Sequence, residues 1–310
     1  MVDVIIPVYR PDEKLNLLIN SLKDQTVKPE HVYFMMTLGD TKENERVRSI
    51  LEQMPQGVIV PVEKKNFDHG GTRNLGASMS EAEYMLFMTQ DAVPETNQLV
   101  ELLKEQLDLN EMVATAYGRQ LPSDEVGVIE HYTRQFNYGE SNQIKSLKDL
   151  DELGIKTYFC SNVCAMYKKS VYEKMGGFVT HTIFNEDMIM AGKVVQAGYS
   201  IAYVADAKVV HAHKYTYRQQ FHRNFDMAVS QADHPEVFEG VKSESEGIKL
   251  VKKTMSYLFH KGKWYLVFDL VFQSGFKFLG YRMGRRHKKL PMWLVKRCSM
   301  NKSYWRNENE

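Results

Sequence analysis

The sequence predicts an α/β protein: a mostly parallel sheet with helices on both faces. Three observations carry this. Short apolar runs bounded by turn residues recur through the first 120 residues. Between them, apolar residues return at helical spacing. The loops after the runs hold more polar chemistry than a plain connector needs, and in such sheets ligands bind beyond the carboxyl ends of the strands.

Taken in order, Val2–Val8 (VDVIIPV) reads as a buried strand stopped by Pro11. Leu15, Leu18, Ile19 and Leu22 line a helix, with Asp12 as a capping candidate. His31–Met36 is a second strand, and Val47, Ile50, Leu51 and Met54 mark a second helix. Val58–Val62 and Tyr84–Thr89 follow as strands, Leu99–Leu107 as a helix and Glu111–Tyr117 as a fifth strand. Residues 119–158 are polar and weakly periodic, an insertion. Val163–Tyr167 reads as a strand, Glu186–Ala197 as a helix, Ile201–Val204 and Lys208–His211 as two short strands, and Lys214–Ser230 as a helix. The expected division is a catalytic domain over 1–235 and a helical, basic region over 236–310.

With 43% apolar and 25% charged residues, the composition excludes wholesale disorder, a fibre and a multi-span membrane protein. The net charge of +1 argues against nucleic acid as a partner. That average conceals a split: residues 248–310 hold 15 Lys+Arg against 3 Asp+Glu, while the remainder is acidic. Trp264, Phe268, Phe272, Phe278 and Leu279 form a wide apolar face, and Asp269, Gln273 and Lys277 a narrow polar stripe. A helix of this kind flanked by cations fits an anionic bilayer surface. A helix packed on the body, or a homo-oligomer interface, is the alternative. Three cysteines are too few and too odd for a disulfide framework, which points to a reducing compartment. The N-terminus lacks the pattern of a signal peptide.

Five segments carry the chemistry. NFDHGGTRNLG (66–76) offers Gly70-Gly71 for tight turning and Thr72 as a helix cap. Arg73 in that first turn opposes the helix dipole, so a negative group is expected beside it. In TQDAVP (89–94), Asp91 just past a strand is a natural ligand for Mg²⁺ or Mn²⁺. Glu186 and Asp187 open a helix, where acids serve the dipole or, at the mouth of a cleft, act as a general base. In VVHAH (209–213), His211 and His213 face the same side, and imidazole with carboxylate suits Mn²⁺. In QFHRN (220–224), His222 and Arg223 lie either on a solvated helical face or against phosphate.

Together, VIIPVYRP, NFDHGGTRNLG, TQDA, NED and VVHAH resemble GT-A-fold glycosyltransferases of family 2, in particular the bacterial rhamnosyltransferase branch. The resemblance covers residues 2–230 and implies a nucleotide-sugar half over about 1–118 and an acceptor half over about 119–235. It assigns Pro7 and Tyr9 to the nucleotide base, with Asp40 a looser candidate, and Asp68, Arg73 and Gln90 to the donor. Asp91, the last acid of a reduced DxD motif, and His211 (alternatively His213) become the metal ligands. Asp187 becomes the base, with Glu186 beside it. The implied donor is dTDP-β-L-rhamnose, the acceptor a lipid-linked glycan, and the location the cytoplasmic face of the cell membrane. Three rivals remain: a family 2 transferase for a UDP-sugar, a non-catalytic sugar-nucleotide-binding protein, and a nucleotidyltransferase. The last would need a glycine-rich loop where Tyr9-Arg10-Pro11-Asp12 stands.

Overall fold

The computed structural model describes residues 1–123, 125–241 and 244–306. In chain order its elements begin β1 (Val2–Val8), α1 (Lys14–Lys23), β2 (Val32–Thr37), α2 (Thr41–Leu51), β3 (Gly57–Val62), α3 (His69–Met79), β4 (Tyr84–Met88) and β5 (Val93–Pro94). Next come α4 (Leu99–Asp108), β6 (Val113–Leu121), α5 (Val128–Asn137), β7 (Gln143–Lys145), α6 (Leu150–Leu153), β8 (Cys164–Lys168), α7 (Lys169–Lys174), α8 (Glu186–Gln196) and β9 (Ser200–Val210). The chain finishes with α9 (Tyr217–Asp233), α10 (Pro235–Phe238), α11 (Glu244–His260), α12 (Leu266–Gly284) and α13 (Met292–Cys298). One compact unit takes Met1–Ser123, Tyr138–Thr180 and Glu186–Ala212; the other takes Asp124–Asn137, His181–Asn185 and His213–Glu310.

The first unit is organised by one sheet, in the order β3-β2-β1-β4-β8-β6-β9-β5, with β7 also on β9. β1 pairs in parallel with β2 and β4, and β2 with β3. Val4, Ile5 and Ile6 are all fully buried. That is why β1 reads as a continuous apolar run rather than an alternating one. Ile6 packs in a core with Leu15, Leu18, Phe34 and Leu86.

The sheet is mixed where a mostly parallel one was expected. β8 runs antiparallel to both β4 and β6, while β6 and β9 are parallel. An apolar run encodes burial, not direction, so the reversal leaves no mark in the hydrophobic pattern. Its consequence is positional. The ends of β1, β4, β6 and β9 and the start of β8 all lie on one edge of the sheet. The two short strands expected near 201–211 are one strand, β9, whose pairing with β6 shifts register between Gly118 and Arg119. The 119–158 stretch, read as an insertion, contains α5, β7 and α6.

In the second unit, α9 and α12 lie side by side at close range. A Cβ on Gly280 would stand 2.2 Å from the carbonyl oxygen of Phe221, and one on Gly284 2.2 Å from that of Phe225. Two glycines four apart therefore let the helices meet backbone to backbone. The other side of α12 is uncovered within this unit: Trp264, Phe268, Phe272, Phe278 and Leu279 are each more than half exposed. The polar stripe is turned inward instead. Asp269 accepts from the Tyr217 hydroxyl and from Gln273 Nε2, and burial holds the Lys277 ammonium below the usual lysine range. A second core gathers Phe225 and Val229 with Val295, Cys298 and Trp305. Among the described residues, no helix is long and apolar enough to cross a membrane.

All three cysteines are free and buried. Burial pushes the Cys160 thiol up to about 11 and that of Cys164 to about 12, so both stay protonated.

Candidate active site

The strand-end edge of the first unit collects most of the residues singled out in the sequence. β1 ends at Val8, and Tyr9 follows with two cations near its ring: the Arg10 guanidinium at 5.4 Å and Lys64 Nζ at 5.5 Å from the ring centre. Pro7 is half-buried on the strand itself. The Gln90 side chain clips this loop to the one after β4. Tyr9 N–H donates to Gln90 Oε1 at 2.8 Å, and Gln90 Nε2 donates to Tyr9 O at 3.0 Å. Both halves of the Gln90 amide are thus engaged with backbone. Arg10 sits at φ 43° and Asn185 at φ 65°, next to Tyr9 and Glu186 respectively. Such left-handed, non-glycine conformations cluster at functional sites.

Two carboxylates expected at the donor cap helices. Asp40 accepts from Glu43 N at 3.0 Å, and Asp68 from Gly71 N at 2.6 Å. The second cap corrects the reading of NFDHGGTRNLG. The helix starts at His69, so Asp68 rather than Thr72 is the cap, and Arg73 lies past the first turn. Thr72 returns the favour, accepting from Asp68 N at 3.3 Å. The glycines do not form a tight turn before the helix; they lie within it. Gly70 is there because a Cβ would stand 2.0 Å from the Val179 carbonyl oxygen. Asn74 completes the docking by bonding both backbone groups of Phe178, each at 2.9 Å.

The negative group expected beside Arg73 is Glu186. Arg73 Nη1 stands 3.2 Å from Glu186 Oε1, and both side chains are about nine-tenths buried or more. Burial works against ionising Glu186, but the Arg73 guanidinium, with His69, outweighs it and holds that carboxyl below the usual carboxylate range. Its neighbour behaves oppositely. Burial first, then the Glu186 charge, raise the Asp187 carboxyl to about 7. Two backbone donors hold Asp187 in place, Asn162 N at 3.2 Å and Met188 N at 2.7 Å. Adjacent carboxyls thus have opposed protonation tendencies, a separation that assigns acid and base roles elsewhere in enzymology.

Where β4 and β9 end, Asp91 Oδ2 stands 3.5 Å from His211 Nε2. His211 is 8% exposed, and its Nδ1 lies 3.2 Å from Gln120 Oε1. A carboxylate beside an imidazole is a donor pair that fits Mn²⁺ better than Mg²⁺. Sequence reasoning missed Gln120. It orients His211 in the manner of an outer-shell partner, and its own Nε2 donates to Ser161 Oγ at 3.1 Å. Nor did it find the Ser161-Asn162 pair, which reaches toward Gln120 on one side and Asp187 on the other. Gln120 is the next-to-last residue of β6, in a stretch the sequence reads as a polar insertion, with no motif about it.

In the second unit, Arg223 lies over the Phe184 ring at 4.6 Å and the Tyr215 ring at 5.5 Å, and His222 Nδ1 meets Cys298 O at 2.6 Å. QFHRN is therefore engaged in packing rather than forming a solvated face.

Comparison with known proteins agrees with this geometry. The family model described as glycosyl transferase family 2 matches residues 3–176. The chain is 39% identical to the O-antigen chain rhamnosyltransferase WbaN of Salmonella anatum, over 98% of this chain and 95% of that one. It is 36% identical to the O-antigen chain rhamnosyltransferase RfbN of Salmonella typhimurium, over 99% and 96%. Among solved structures, a mannosyltransferase from Pyrobaculum calidifontis in complex with GDP-Man and Mn²⁺ superposes with a TM-score of 0.58 at 14% identity, covering 98% of this chain and 84% of that one. Staphylococcus aureus TarS, residues 1–349, superposes with a TM-score of 0.55 at 14% identity, covering 93% and 91%. The fold is the GT-A arrangement expected from the motifs, and the chain belongs to glycosyl transferase family 2.

Proposed function

We propose that this glycosyltransferase moves L-rhamnose from dTDP-β-L-rhamnose to a hydroxyl of a lipid-linked polysaccharide, with inversion, using Asp187 as general base. The observation that carries the chemistry is the contrast at Glu186-Asp187. Arg73 keeps the first carboxyl ionised, while burial leaves the second near 7, where it can take a proton and give it up. The rhamnosyl and polysaccharide assignments are supported by the two O-antigen chain rhamnosyltransferases that match along nearly their whole length.

Asp187 removes the acceptor hydroxyl's proton as that oxygen attacks the anomeric carbon. The bond to the diphosphate breaks on the opposite face, and the electron pair leaves with the nucleotide. One displacement converts a β-donor to an α-rhamnoside. Asp91 and His211 would hold a divalent cation, which when bound stabilises charge developing on the leaving diphosphate. Tyr9, with Arg10 and Lys64 near its ring, is the aromatic group placed to meet the base. The aromatic side of α12, ringed by exposed Lys261, Arg282, Arg285 and Arg286, rests on the anionic inner leaflet of the cell membrane. Covering it with a second copy would set these cations against their like.

The test is a donor screen. dTDP-rhamnose and UDP- and GDP-sugars are offered with Mn²⁺ and a membrane extract holding lipid-linked glycans. The expected result is transfer from dTDP-rhamnose alone and an α-linkage by NMR. Transfer from a UDP-sugar, or a β-product, overturns the reading.

A further inference from the structure

The second unit carries a half-open hollow of about 190 Å³ that none of the chemistry above uses. Glu130 near the start of α5, Lys214 and Tyr215 on the segment before α9, Gln220 on α9, and Asp269 and Gln273 on α12 line it, set among apolar side chains such as Ile129 and Leu266. Two carboxylates beside one lysine disfavour an anion, and polar groups spread among the apolar ones make a mixed wall, unlike the continuous apolar lining a lipid tail needs. What suits this wall is a neutral molecule rich in hydroxyls. Carboxylates accept from neighbouring hydroxyls, carboxamides both give and accept, and an aromatic ring covers the C–H face of a sugar.

The wall is also held in place beforehand. Asp269 accepts from the Tyr217 hydroxyl and, at 3.1 Å, from Gln273 Nε2. Glu130 Oε1 stands 3.3 Å from Arg134 Nε one turn along α5. Groups fixed in this way lose little freedom when a ligand arrives.

The placement on α12 narrows the choice of sugar. Asp269 and Gln273 belong to the polar stripe, and the opposite side of the same helix carries the exposed Phe268, Phe272 and Leu279. A helix that meets a bilayer with one side and a sugar with the other is suited to a glycan carried on a lipid. His213, two residues along the chain from His211, lines the same cavity.

We infer that this cavity binds one sugar residue of the acceptor glycan, with Asp269, Gln273 and Glu130 as its specificity-determining contacts. The inference rests on the transferase reading above. The experiment measures binding without turnover. Methyl glycosides of D-mannose, D-galactose, D-glucose and L-rhamnose are offered to the full-length protein, and contact is read by saturation-transfer NMR. Gln273→Ala, Asp269→Asn and Gln220→Ala are compared with wild type. Each variant is first checked for an unchanged thermal shift with dTDP, which reports an intact donor side. The expected result is selective binding of one glycoside, weakened at least tenfold in Gln273→Ala and Asp269→Asn. Binding of none, or equal binding by wild type and every dTDP-responsive variant, overturns the inference. Donor hydrolysis assayed in parallel judges the transferase reading separately, because it needs no acceptor site.

Discussion

The sheet unit and the helical unit use the same apolar residues in opposite ways. In the sheet unit the apolar runs are buried as their pattern predicts: Ile5, Phe34 and Phe87 are wholly covered. In α12 most of the circumference is apolar, yet the aromatic side faces out and the narrow polar stripe faces in. Periodicity states that a helix has two sides. Which side meets protein is decided by the partner. Here α9 offers the backbone carbonyls of Phe221 and Phe225, and only the glycine side of α12 fits against them.

The largest test of this contrast lies in the sheet unit. Asp187→Asn should lower transfer by about 10²–10⁴-fold, with dTDP binding retained. Wild-type turnover should fall as pH drops through about 7, as Asp187 takes up its proton. Stability should move the other way. Folding raises this carboxyl from its ordinary 3.8 to about 7, so its contribution is complete below the lower value and is lost as pH rises through the upper one. The carboxamide of the Asp187→Asn variant escapes that loss, and the variant's gain in melting temperature should widen from acid to alkaline buffer. A gain independent of pH would detach burial from ionisation at this position.

Next in size is Gln120→Ala, which should weaken Mn²⁺ binding by about 10–100-fold while Asp91→Ala abolishes it. Isothermal titration separates the two, and equal effects would mean that Gln120 does more than orient His211.

For the helical unit, Gly280→Ala should cost about 1–3 kcal/mol in urea unfolding, because the added carbon meets backbone that cannot step aside. Gly275→Ala, where nothing lies within 4 Å, serves as the control. The smallest effect on the fold should come from Phe268→Asp with Phe272→Asp. Their exposure predicts stability within about 0.5 kcal/mol of wild type, and co-sedimentation with phosphatidylglycerol vesicles should drop about tenfold or more. Unchanged sedimentation would leave the aromatic face without its proposed surface.

Much of the molecule was legible beforehand. The first four strands fall within a residue or two of their predicted bounds, since β1 to β4 are apolar runs punctuated by turns. The charge expected beside Arg73 is present, though for another reason than the helix dipole: Arg73 lies past the first turn, and its burial requires a counter-charge. The reversal of β8 was not legible, as strand direction has no side-chain signature. The helix cap was misplaced because Asp68 and Thr72 both suit the position and only the backbone chooses. Gln120 was invisible because orienting an imidazole takes one amide at the right distance and no motif.

The way the C-terminal third is built also bears on handling the protein. Trp305, Val295 and Cys298 pack with Phe225 and Val229, and α12 lies along α9. Cutting the chain before this sticky helix would strip a core and bare the carbonyls that the two glycines protect. A better-behaved variant is therefore to be sought by repainting the outward aromatics one at a time, not by shortening the polypeptide.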